Sequence, residues 1–217
     1  MCARGGEVAD ALGMPTAHAA PEKTDYRAIY DHVVTSNAKY TDPGHSPGYN
    51  ACWLESARIR AAGSPALDVG CGVGFAVELL RGPHFQVESW GVDVSPASVE
   101  IGNRRLGQAW LKAMEPGRIP HPDNHFGLVT CFDMLEHLDE RDLGPIRDEM
   151  RRVLKPGGLL YCSIATRLAY GLDQHGDNLH RTVKPPDWWA GLFDADETRV
   201  MWRNQDLYLF WHKPMAK

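Results

Sequence analysis

Two carboxylates and an imidazole fall close together in Asp133-Met134-Leu135-Glu136-His137. On a helical turn, positions i, i+3 and i+4 share one face, so Asp133, Glu136 and His137 would point the same way. That donor set suits a divalent cation with mixed oxygen and nitrogen ligands, Mg²⁺ or Zn²⁺. A fourth ligand must come from farther along the chain. His180, with His175 as second choice, lies in a polar loop over residues 173–181. Without a metal, His137 becomes a general base or a substrate contact, and Glu136 lines or caps the pocket beside it.

A second constellation precedes this one. Leu67-Asp68-Val69-Gly70-Cys71-Gly72-Val73-Gly74 runs from a buried-strand pattern into three glycines spaced two apart, and Phe75, Val77, Leu79 and Leu80 follow at helical spacing. A strand feeding a glycine turn feeding a helix offers bare amides and a helix N-terminus to a ligand. Gly70 and Gly72 let the backbone approach that ligand where a Cβ would clash. Dinucleotide folds want a third glycine three residues after the second. Phe75 stands there, so a pyrophosphate cradle is disfavoured. Asp68 puts a carboxylate at the strand end, where it would meet a cofactor amine or a bridging water. A second strand pattern, Trp90-Gly91-Val92-Asp93-Val94, delivers Asp93 at its end. A carboxylate there can accept hydrogen bonds from both hydroxyls of a ribose. The cofactor is therefore expected to carry a nucleoside.

At this point the chain resembles the class I S-adenosylmethionine-dependent methyltransferases. The matching stretches are residues 67–74, Gly91-Val92-Asp93-Val94-Ser95, residues 119–129 (Ile-Pro-His-Pro-Asp-Asn-His-Phe-Gly-Leu-Val), residues 133–138, and Val153-Leu154-Lys155-Pro156-Gly157-Gly158. They cover about residues 60–165 in the family's order. The resemblance implies S-adenosylmethionine as cofactor, held by Asp68, Gly70, Gly72, Gly74, Asp93, Val94 and Phe132, with the adenine near Ala113 and Met114. Two positions depart from the pattern: Lys112-Ala113-Met114 replaces an acidic adenine contact, and Gly127 replaces an aspartate. The acid-x-x-Glu-His group with a later histidine is similar to ubiquinone-pathway O-methyltransferases and small-RNA 2′-O-methyltransferases. Their first acid is commonly Glu; here it is the shorter Asp133. Methyl transfer from a sulfonium is an in-line displacement in which the protein chiefly aligns the two reactants.

Strand and helix patterns alternate around these motifs: strand 66–70, helix 74–81, strand 87–94, helix 96–106, short strand 109–113, strand 127–132, helix 140–154, strand 159–165, helix 186–193, and strands 199–204 and 207–212. The alternation predicts an α/β fold, a doubly wound, mostly parallel seven-stranded sheet whose last strand is antiparallel, with a tight turn near 204–206. Leu143, Ile146, Met150, Val153 and Leu154 form one apolar stripe on helix 140–154, which should stop at Lys155-Pro156-Gly157-Gly158. In such a sheet the ligand sits at the carboxyl ends of the central strands, where every motif above falls. Residues 1–24 read as a mobile tail, 25–60 as an aromatic helical or lid segment, and 61–217 as the cofactor-binding domain. Tyr26, Tyr30 and Tyr40 are candidates to line that lid. Trp188 and Trp189 cannot share a helix face, so one should pack in the core and the other could wall the acceptor pocket. Arg167 and Tyr170 are placed for substrate contact.

Composition narrows the partners. With 217 residues and 43% hydrophobic content, one domain with a sizeable core is expected. A net charge of −5 without a basic run speaks against a nucleic-acid partner. No apolar run reaches the length of a membrane span and no signal peptide is evident, and five scattered cysteines fit a reduced cytoplasmic protein. The expected activity is methylation of a small molecule, at oxygen in preference to nitrogen. An RNA 2′-O-methyltransferase and a catalytically silent cofactor-binding subunit are the alternatives.

Overall fold

The computed structural model describes residues 23–201 and 205–215. The expected tail lies outside them except for residues 23 and 24, as does residue 204 of the turn expected near 204–206. Three helices come first: α1 (Tyr26–Ser36), α2 (Pro47–Leu54) and α3 (Ser56–Ala62). The alternating part follows with β1 (Ala66–Val69), α4 (Phe75–Arg81), β2 (Ser89–Asp93), α5 (Pro96–Leu106), β3 (Leu111–Ala113) and β4 (Phe126–Phe132). Then come α6 (Glu140–Val153), β5 (Leu154–Ala165), α7 (Pro186–Leu192), β6 (Glu197–Met201) and β7 (Asp206–His212).

All seven strands join one sheet in the order β3-β2-β1-β4-β5-β7-β6. The first five are parallel, and β7 runs antiparallel to both β5 and β6. This is the expected fold, closed by a hairpin in which β6 forms the edge. Strand order reverses between β1 and β4, and this switch point opens a crevice outside their carboxyl ends.

Every residue of β1 and β4 is buried, as parallel strands covered on both faces must be. The alternation of strand side chains splits the core in two. Leu67, Val69, Val129 and Cys131 pack with Leu143, Ile146 and Met150 of α6 on one face. Ala66 and Leu128 pack with Ala76 and Leu80 of α4 and Ala51 of α2 on the other. The four described cysteines are buried free thiols.

The apolar stripe of α6 is buried as expected, yet the helix passes straight into β5 at Leu154 instead of ending in a loop. Leu154 pairs with Phe126 before the register shifts, and Gly157 at φ +76° carries the distortion. The breakers Pro156 and Gly157 thus deform a strand that starts earlier than its apolar pattern at 159.

Helix α1 crosses the carboxyl edge of the sheet. The Tyr26 hydroxyl donates to Asp142 of α6 (2.7 Å) and accepts from the Asp139 amide (2.8 Å). Helix α2 lies close on β4 because Gly48 has no side chain; a Cβ there would come within 2.7 Å of the Phe132 ring.

Candidate active site

A cleft of about 890 Å³ opens at the carboxyl ends of β1, β2 and β4, walled by α1 and by the two short 3₁₀ turns Ala38–Thr41 and Pro43–His45. The half where a cofactor is expected begins where β1 ends. Gly70, Gly72 and Gly74 have φ of +75°, +52° and +82°, a region open to glycine and strained for other residues. A Cβ on Gly70 would meet Met134 at 2.5 Å, whereas one on Gly72 would project into open space. The Gly72 amide donates to Asp93 Oδ2 (2.8 Å) and the Ser95 amide to Asp93 Oδ1 (2.9 Å), so the glycine turn and the end of β2 are tied through one carboxylate.

Burial pushes the Asp93 carboxyl up, against the pull of these two amides. Asp68, at the end of β1, is raised to about 7 by burial, with the Thr130 hydroxyl at 2.7 Å opposing the shift. Asp68, Gly70, Gly72, Asp93, Val94, Met114 and Phe132 all line the cleft. Gly74 and Ala113 do not. Gly74 is the left-handed residue that starts α4, packed against Leu111, and Ala113 is solvent-exposed on the edge strand β3.

The other half, where an acceptor is expected, follows β4. The turn there is a single 3₁₀ turn, Leu135–His137, and Asp133 before it stands at φ +48°. The expected shared face of Asp133, Glu136 and His137 therefore does not form as drawn. Asp133 lines the cleft and accepts from Ser163 Oγ (3.0 Å), its carboxyl raised to about 6 by burial. It stands outside the cluster that does form, which is Glu136, His137 and His180. One potential ligand atom from each of these three lies within 4.8 Å of the others. His175 is exposed and away from the cleft.

Glu136 is completely buried. Its Oε1 accepts from the Ala165 amide (2.8 Å), and its Oε2 has no partner. Burial drives this carboxyl well above the usual range, and the nearby Asp133 adds to the effect. Both imidazoles are held by main-chain carbonyls: His137 Nδ1 by Leu179 (3.0 Å) and His180 Nδ1 by Arg167 (2.6 Å). A carbonyl only accepts, so each Nδ1 carries the hydrogen and each Nε2 keeps its lone pair. Burial lowers both pKa values, that of His137 to about 3, which holds the rings neutral. They meet edge to face at 4.7 Å, and Tyr30 of α1 packs edge-on against His137 at 5.7 Å. The Glu136 carbonyl in turn accepts from the amides of Arg181 (2.8 Å) and Thr182 (3.0 Å), which locks the 166–182 loop to the turn after β4.

Of the expected lid tyrosines, all three line the cleft, although Tyr26 is committed to its bonds with α6. Arg167 and Tyr170 stand at the rim, Tyr170 with 92% of its surface exposed. Neither tryptophan walls the pocket: Trp189 is fully buried in the core, and Trp188 packs against the same core. Reading the sequence missed Thr130, the partner of Asp68, and Asp31 on α1. Ser95 carried a legible signal, a serine before a proline at a helix start.

A family model described as a methyltransferase domain matches residues 67–162. A ubiquinone biosynthesis O-methyltransferase from Thiobacillus denitrificans is 32% identical over 123 residues, 54% of this chain and 50% of that protein. A ubiquinone/menaquinone biosynthesis C-methyltransferase from Cupriavidus necator is 32% identical over 148 residues, 63% of this chain and 59% of that protein. The chain thus spans between half and three fifths of these relatives' lengths. A solved structure from Pyrococcus horikoshii shares the fold at a TM-score of 0.67 and 16% identity, covering 84% of this chain and 98% of that one. Motif order, domain match and sheet topology agree: residues 67–162 carry a methyltransferase domain on a mostly parallel, doubly wound sheet.

Proposed function

We propose that this protein transfers a methyl group from S-adenosylmethionine to an oxygen of a small-molecule acceptor, with a divalent cation held by Glu136, His137 and His180. The unpaired Glu136 Oε2 carries the metal part of this reading. A completely buried carboxylate oxygen with no partner costs free energy, and a cation between it and two neutral imidazoles would offset that cost. Carbonyl-held Nδ1 atoms are the usual posture of metal-bound histidines. A bound Mg²⁺ or Zn²⁺ would lower the pKa of an acceptor hydroxyl.

The protein's own residues do the rest. The glycine turn and Asp93 orient the cofactor's nucleoside, and Asp68 faces its charged end. Tyr30 and His137 fix the acceptor side of the cleft, while Met134 and Phe132 keep apolar surface near the transfer path. A pKa near 3 makes His137 a weak base, which favours ligation over proton abstraction. The relatives' names include both O- and C-methylation; the lone-pair cluster favours oxygen here. The net charge of −5 favours a small molecule over RNA. Among the described residues no helix is long and apolar enough to cross a membrane, consistent with an acceptor met in water or at a surface.

Calorimetric titration of the metal-depleted protein with Zn²⁺ and Mg²⁺ tests the cation directly, and labelled S-adenosylmethionine with fractionated metabolite extracts tests transfer. Binding of one ion, lost in His180→Ala, together with EDTA-sensitive labelling is the expected result. Labelling that ignores EDTA but vanishes in His137→Ala would remove the metal and leave His137 as a base or positioning group.

A further inference from the structure

Asp31, on α1, reaches into the loop between β2 and α5. Its Oδ1 accepts from the Ser95 hydroxyl (2.5 Å) and from the Ala97 amide (3.1 Å). The same Ser95 donates its amide to Asp93 Oδ1 (2.9 Å), and its hydroxyl oxygen accepts from the Ser98 amide (3.0 Å). Ser95 is fully buried and so stands between two acids from different parts of the chain.

We propose that Asp31 is a positioning residue for the cofactor. Acting through Ser95, it fixes the direction of the Asp93 carboxylate and pins α1 across the cleft. The inference rests on the reading of Asp93 as the ribose-binding acid.

Helix capping alone does not account for the arrangement. Ser95 already caps α5 with its own side chain, which is what a serine at that position does unaided. The second acid is electrostatically unfavourable for the first, since Asp31 raises the pKa of Asp93. Two close carboxylates are tolerated because the donors at Ser95 and Ala97, and the positive end of α5, satisfy Asp31. The contact also links the two halves of the cleft. The neighbouring α1 residue, Tyr30, packs on His137 on the acceptor side. One helical turn therefore touches both the cofactor loop and the acceptor cluster.

The test is calorimetric binding of S-adenosylhomocysteine, the demethylated cofactor, to Asp31→Leu, Asp31→Asn, Ser95→Ala, Asp93→Ala and the double variant Asp31→Leu/Asp93→Ala, with thermal midpoints recorded alongside. Asp31→Asn keeps an oxygen acceptor and should bind within about threefold of wild type. Asp31→Leu should weaken binding about tenfold. The double variant should be no weaker than Asp93→Ala alone, because Asp31 acts through Asp93. A merely structural role would shift midpoints and add to the loss from Asp93→Ala. If Asp31→Leu binds like wild type while Asp93→Ala does not, or if the two losses add, the positioning role is overturned and the cofactor site stands. If Asp93→Ala itself binds like wild type, the cofactor reading falls and this inference with it. Should Asp31→Leu fail to fold, Ser95→Ala decides: unchanged binding overturns the proposal, and a severalfold loss supports it.

Discussion

The two halves of the cleft are built by different means. The cofactor half is local: a glycine turn of five residues and one strand end place Gly70, Gly72 and Asp93, and the Asp93 carboxylate ties Gly72 of the turn to Ser95 beyond that strand end. The acceptor half is assembled from distant pieces. His137 and His180 are 43 positions apart, and each is aimed by a carbonyl of the 166–182 loop. Backbone conformation fixes the first half, and loop docking fixes the second. Substitutions should therefore separate cofactor affinity from turnover.

The acceptor half should show the largest effect. His180→Ala removes one lone-pair donor and leaves Glu136 Oε2 more isolated. Turnover should fall by about 10²–10⁴-fold while cofactor affinity stays within about threefold. Labelling assays paired with calorimetry read both. A matching collapse of cofactor binding would show that the two halves are one unit and break the comparison.

In the cofactor half, Asp93→Ala should weaken S-adenosylmethionine by roughly 30–150-fold, equivalent to about 2–3 kcal/mol for a lost pair of hydrogen bonds to a charged group. It also frees the Gly72 and Ser95 amides. Wild-type affinity would remove Asp93 from the site.

This contrast also explains what the sequence disclosed. The strands, the helices and the glycine turn were legible because each is written in a short run: buried apolar residues for β1 and β4, and glycines for the turn. In the acceptor half, Glu136, His137 and His180 were legible by residue type and by their place at the sheet's carboxyl edge. Their geometry was not. Helical spacing grouped Asp133 with Glu136 and His137, but a positive φ at Asp133 and a 3₁₀ turn send its carboxyl to Ser163 instead. Asp31 was invisible for a related reason. Its partners lie more than sixty positions away, and no local pattern marks an acid that crosses the sheet edge.

Paired glycine substitutions sharpen the comparison. Gly72→Ala meets nothing in the fold, so it should cost only about 1 kcal/mol of stability for its left-handed backbone. It should still weaken the cofactor about tenfold if the turn cradles a ligand. Gly70→Ala adds a clash with Met134 and should lower the thermal midpoint further. Equal loss of stability with no loss of affinity in Gly72→Ala would leave the turn with a purely structural role.

The smallest expected effect is a pH dependence confined to the cofactor half. Burial holds the Asp68 carboxyl at about 7, against 3.8 for the unperturbed group, so at neutral pH a substantial fraction carries a proton. A positively charged cofactor favours the ionised form, so its binding must expel that proton. Affinity should then rise with pH and level off above the folded pKa, by about fourfold between roughly pH 6.5 and 8. The free protein responds in the opposite sense. Between about 4 and 7 the folded state binds more protons at Asp68 than the unfolded chain does, so this group's contribution to stability declines as pH rises through that window. Asp68→Asn should flatten both trends while keeping an acceptor for the Thr130 hydroxyl. Calorimetry in two buffers of different ionisation enthalpy counts the released proton directly. An affinity that is flat with pH in the wild type, with no proton released near pH 6.5, would place Asp68 away from the cofactor's charge.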